Sequence, residues 1–335
     1  MTSRERVRAA LNFQPIDKIP LEIEPGFEDF ESDIHIPTHS YGVGKSCGAY
    51  GIKGIRQDHW GSIWESAEDG VSGEVRQAMI SSWGDIEKIY IPYDVLEEAD
   101  MSRVNEDCAT VDKFTMKMWG IMPFQRMQYL RGTEALFMDI ALEDENILRL
   151  MDKVHGFYKT EVEMWAKTAV DAIHLEDDWG TQHALLISPK TWRQLFKPLY
   201  KEYCDIAKAH GKLVVMHSDG YIMDIVPDLI EIGVNAINPQ LNVMPYEDLA
   251  DKIKGKMALW GGTDRQWLLS FGKPEDVAAD VKRVANIFCT EGKSGVVGQC
   301  FKDKGAKDEN IRQVYKSWLD IKVGRNPTMG YTHVQ

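Results

Sequence analysis

One imidazole, several carboxylates and one thiol stand where short β-favouring runs of this sequence stop. The run "KLVVMH" (212–217) ends on His217, and Asp219 follows two residues later. "AIHLED" (172–177) closes on Glu176 and Asp177, with Asp178 next; "NAINPQ" (235–240) supplies Asn238 and Gln240. "KMALWGG" (256–262) leads into Thr263 and Asp264, and "SGVVGQC" (294–300) ends on Cys300. Near the N-terminus, "DKIPLEIEP" carries Glu22 and Glu24. Imidazole, thiolate and carboxylate on separate strand ends are ligand types that Zn²⁺ accepts, with a position left open for substrate. The same residues fit other chemistries. His217 can be a hydrogen-bonded core histidine, a general acid oriented by Asp219, or the base for a Cys300 nucleophile. Ligands scattered singly lack the specificity of a CxxC pair, so spacing alone leaves these readings open.

Helical patterns separate the runs, at 189–210, 221–232, 246–254 and 274–289, with another at 308–321 after the last. Strand–helix alternation of this kind means βαβ units and a parallel sheet. Five units in the second half, with room for three upstream, predict an α/β fold, a (β/α)8 TIM barrel; a doubly wound open sheet is the alternative. In such barrels the active site lies at the C-terminal strand ends, where the residues above fall. Residues 4–12 read as a helix and 17–25 as a first strand. Residues 25–85 are rich in Gly, His, Asp and aromatics with little periodicity, as in a functional lid or rim. With no repeat and no Pro/Ser-rich linker, residues 1–335 are expected to form a single domain. "GVGKS" (42–46) has His39 where a P-loop needs its first glycine, so a nucleotide site is not expected there.

A net charge of −13 disfavours nucleic-acid and anionic-membrane partners. No run approaches the roughly 18 apolar residues that span a bilayer. The opening "MTSRERVRAALNF" is charged and amphipathic and has no apolar signal core, so a cytoplasmic protein is expected. The five cysteines are odd in number and none lie in a CxxC, which argues against a disulfide framework.

Longer stretches carry a resemblance: "RERVRAALNFQPIDKIP", "WGDIEKIYIP", "YLRGTEALFMDIALEDENI", the run from "DAIHLEDDWG" through "KLVVMHSDGYIMDIVPDLIEIGVNAINP", "GGTDRQWLL" and "DENIRQVYKSW". Over nearly its whole length the chain resembles the uroporphyrinogen decarboxylase superfamily, and within it the corrinoid-dependent methyltransferases. That resemblance implies a (β/α)8 barrel. The true decarboxylases carry an arginine-rich R-Q-A-G-R loop; the corresponding region here reads "EIEPGFEDFESDI", too acidic for a polycarboxylated porphyrinogen. The coenzyme M branch binds zinc through His-x-Cys and a late Cys. His217 and Cys300 match the outer two, and Asp219 replaces the middle cysteine. The resemblance thus implies zinc held by His217 and Cys300, with Glu176 preferred to Asp219 as the third ligand; these four are also the expected catalytic residues.

Exchanging a thiolate for a carboxylate makes zinc harder and better suited to an oxygen ligand. The chain therefore looks like an O-demethylase methyltransferase, which moves a methyl group from an aryl methyl ether to the Co(I) corrinoid (cobalamin) of a separate small protein. No Asp-x-His-x-x-Gly corrinoid motif occurs in the chain, so a partner must bring that cofactor. The expected substrate pocket is apolar: "WGIMPF" at 119–124 (Trp119, Ile121, Met122, Phe124), Trp60, Trp64, Trp179 and Trp260, with Asn238 as a polar member. The segment 30–54 is expected to be a flap that opens for the corrinoid protein. Alternatives are a methylamine or thioether donor, a thiol acceptor, a decarboxylase-like reaction, or a non-catalytic corrinoid-binding barrel.

Overall fold

The structure is a computed structural model that describes residues 1–38, 53–69, 73–289 and 294–323. The fold is α/β and TIM-barrel-like, with parallel strands alternating with helices. Two compact units divide the chain. Met1–His35, Asp112–Phe114 and Asn235–Gln335 form a terminal unit; Ile36–Val111 and Thr115–Val234 form a central one. Among the described residues, no helix is long and apolar enough to cross a membrane.

The strands Phe114–Ile121 (in the central unit from Thr115 on), Ala172–Glu176 and Leu213–Ser218 pair in parallel. Val214, Val215 and Met216 are all buried, as in a strand covered on both faces. The helix Asn146–Ala166 buries Ile147, Leu150, Met151, Val154 and Tyr158, a stripe at three- and four-residue spacing that faces the core. The rim expected over 25–85 is partly regular: Gly54–Gln57, Ile63–Ser66 and Glu74–Gln77 form a three-stranded antiparallel sheet. These strands escape a periodicity search because most of their residues are polar and exposed. Asp58 ties this sheet to the helix Pro123–Arg131. It accepts the backbone N–H groups of Trp60 and Ser62 and the indole N–H of Trp64, and forms a buried ion pair with Arg126 at 2.6 Å. The sequence "GVGKS" and most of the expected flap lie outside the described residues.

The terminal unit repeats the alternation with Ala236–Pro239, Ala258–Trp260 and Val296–Val297, again parallel and paired in chain order. The helices Tyr246–Ile253, Pro274–Phe288 and Asp308–Asp320 fall where the patterns placed them. Ser3–Leu11 starts at a Thr2/Glu5 capping box, which satisfies orphan N–H groups at the helix start. The strand expected over 17–25 shrinks to one parallel bridge between Leu21 and Gly298. Pro20 has no N–H to give, and the N–H of Leu21 goes to Asp33 Oδ2 at 2.9 Å instead of to a strand neighbour.

Candidate metal centre

His217 closes a buried strand, one residue before its end, in register with Glu176 on the neighbouring strand. The N–H of Asp177 carries the ladder one step further by donating to the carbonyl of His217 at 3.2 Å. Both chains then turn. Gly220 adopts φ +80° and lies backbone to backbone against Gly180, where a Cβ on Gly220 would come within 2.1 Å of the Gly180 carbonyl. Only glycine allows that approach. Gly180 N–H donates to Asp219 O at 3.1 Å, and Tyr221 N–H to Thr181 O at 2.7 Å. The two loops are thereby clamped so that Asp178 and Asp219 lie side by side. Asp219 N–H donates to Asp178 Oδ1 at 2.9 Å. His217 Nε2 stands 3.7 Å from Asp178 Oδ1 and 3.5 Å from Asp219 Oδ1.

Among the described residues, Asp178, His217 and Asp219 form a group of three whose ligand atoms all lie within 4.8 Å of one another. Bond lengths of about 2.0–2.1 Å at tetrahedral angles put zinc ligand atoms roughly 3.3 Å apart. One imidazole and two carboxylates at these separations fit a divalent transition metal such as Zn²⁺, because imidazole suits such ions better than Mg²⁺ or Ca²⁺.

The other acidic residues of "LEDDW" do different work. Asp177 is fully buried and caps the helix Pro123–Arg131, accepting Phe124 N–H at 3.0 Å, Gln125 N–H at 2.7 Å and the Tyr200 hydroxyl. Burial pushes its carboxyl well above the usual range. Glu176 accepts Gly120 N–H at 3.2 Å, and burial raises its pKa. His174 lies behind His217, ring centroids 6.4 Å apart, and burial holds its pKa well below the ordinary value, so it is neutral.

Cys300 belongs to the terminal unit. It is buried and hydrogen-bonded to Tyr315, and burial pushes its thiol up to about 12. Beside it, burial brings Glu22 up to about 7, with Trp260 Nε1 donating to that carboxyl at 2.6 Å. Asn238 Nδ2 donates to Trp260 O at 2.6 Å and to Gln299 Oε1 at 3.2 Å. The expected aromatics are packed. Trp60 meets Phe157 edge-on at 4.8 Å, Trp64 meets Tyr129 at 4.6 Å, and Phe124 stacks on Trp179 at 4.1 Å. Ile121, Met122 and Trp260 are buried as well; the side chain of Trp119 lies outside the described residues. A pocket of about 530 Å³ in the terminal unit, lined among others by Tyr246, Trp267 and Asp280, includes Asp264 of the strand-end residues but none of the four expected ligands. Asp178 was visible in the sequence as a strand-end acid but not as a neighbour of His217. Its signal was the second carboxylate after the strand, returned to the side of His217 by the turn at Gly180.

A parallel α/β barrel fold with a histidine and two carboxylates at adjacent C-terminal strand ends defines a TIM-type protein with a candidate metal site at its strand ends. The chain belongs to the uroporphyrinogen decarboxylase family, which it matches over residues 67–297. No curated protein matches the sequence. Among solved structures, a methyltransferase from Methanosarcina mazei superposes with a TM-score of 0.71 at 16% identity, covering 95% of this chain and 98% of the other. At that identity the likeness is one of fold. An endo-β-1,4-xylanase from Gloeophyllum trabeum gives a TM-score of 0.41 at 12% identity, covering 66% of this chain and 80% of its own. A D-psicose 3-epimerase with D-fructose gives 0.34 at 10%, covering 68% and 86%. Neither of these looser matches bears on function.

Proposed function

We propose that the protein is a zinc-dependent methyltransferase that moves a methyl group from an aryl methyl ether to the Co(I) corrinoid of a separate small protein. The observation that carries this reading is the Asp178–His217–Asp219 group at the strand ends of a uroporphyrinogen decarboxylase family chain. The fold it shares with a methyltransferase supports it. So does the acidic "EIEPGFEDFESDI", which suits an uncharged donor better than a polyanionic one.

Held at this group, Zn²⁺ would polarise the ether oxygen, whose departing aryloxide has a conjugate acid of pKa about 10, as for tyrosine. The chain's own contribution is placement and electrostatics. His217 is fixed by its strand, and the carboxylates by the glycine contact between their loops, so the ligand atoms are preorganised. Neutral His174 behind His217 adds no positive charge to the site. With the partner's Co(I) corrinoid bound, the methyl C–O bond would break with its electron pair going to oxygen, the cobalt's electron pair would form the bond to carbon, and the phenolate would take a proton from solvent.

The test uses purified, zinc-loaded protein with Co(I) cobalamin as acceptor and a panel of methoxybenzenes, methylamines and dimethyl sulfide. Methoxybenzenes are expected to convert the Co(I) spectrum to that of methyl-Co(III). Turnover confined to the nitrogen or sulfur donors would refute the ether assignment.

A further inference from the structure

Gln125 reaches the metal centre from a third element. It is the third residue of the helix Pro123–Arg131, and its backbone N–H is anchored on Asp177 Oδ1 at 2.7 Å. Its side-chain Nε2 donates to Asp178 Oδ2 at 3.1 Å. The other oxygen of Asp178 is the one that accepts Asp219 N–H and faces His217. Gln125 thus holds the carboxylate from behind while its second oxygen meets the imidazole. Chemistry fixes the orientation of the amide. An ionised carboxylate only accepts, so Nε2 and not Oε1 must face Asp178. Oε1 is then turned to the other side of the amide, where it is buried with no hydrogen-bond partner.

We propose that Gln125 is the positioning residue for Asp178: its amide holds the carboxylate in the orientation that presents Oδ1 to His217. The inference rests on the reading of Asp178, His217 and Asp219 as a metal centre.

The experiment compares full-length wild type with Gln125→Met, and with Gln125→Asn in case the methionine variant does not fold. Chelator competition should show zinc bound 10- to 100-fold more weakly by either variant, the range seen when a ligand's supporting hydrogen bond is removed. The visible spectrum of the Co(II)-substituted protein should shift, a signature that a purely structural role would not produce. Zinc affinity and Co(II) spectrum unchanged in a folded variant would overturn the positioning role and leave the metal centre standing. A wild-type protein that takes up no zinc would overturn the centre and this inference together.

Discussion

At the scale of residues, the centre is a division of labour within four consecutive positions. Leu175 is core, Glu176 bonds a neighbouring strand's backbone, Asp177 caps a helix, and Asp178 faces His217. Asp178→Ala and His217→Ala should each lower bound zinc from about one equivalent to near none, with the circular dichroism unchanged, because each removes one of three ligands from strand ends that fold without it. Cys300→Ser should retain zinc, since the imidazole and two carboxylates are complete within the central unit; loss of zinc in that variant would place the thiolate among the ligands. Elemental analysis reads all three. His217 and Asp219 were legible in the sequence because a strand of Val and Met runs straight into them. Asp178 was not, because three acids in a row give no sign of which one turns toward His217. That depends on where the strand stops and how the next loop meets it.

At the scale of elements, the site depends on the contact between the loops that follow Glu176 and Ser218. Gly220→Ala forces a side chain into the Gly180 backbone at a positive φ. It should cost at least ~2 kcal/mol of stability, from left-handed strain plus overpacking, and should abolish zinc binding. Gly211→Ala is the control. It also has a positive φ, +70°, but nothing lies within 4 Å of its Cβ. It should cost about 1 kcal/mol and leave zinc in place. Thermal melts with and without chelator measure both. The later strands and helices were legible because their apolar runs are clean and separated by amphipathic helices. Phe114–Ile121 was hidden, because it carries Lys117 at its centre, buried against Glu161 of the helix Asn146–Ala166 at 3.3 Å. The antiparallel sheet was hidden for the opposite reason, having too little apolar content to show a period.

At the scale of the whole molecule, the chain's two ends share one unit while its middle forms the other. The terminal unit is closed by Leu21 against Gly298, with Glu22 N–H donating to Gly298 O and Gly298 N–H to Pro20 O, each at 2.9 Å. A partner so distant along the chain imposes a schedule on synthesis. The first 35 residues leave the ribosome long before residue 298 exists, an interval of roughly 10–50 s at bacterial to eukaryotic elongation rates. Throughout that time the apolar face of Ser3–Leu11 has no strand to cover it, whereas the central unit holds all its parts as soon as residue 234 is made. Chains stalled shortly after residue 234 has cleared the exit tunnel should protect residues 115–234 from protease while the N-terminal segment is still cut. Chains stalled past residue 323 should protect both. Nascent protein of this architecture should therefore be a client for factors that shield emerging apolar segments, and its yield in a cell should rise with their supply.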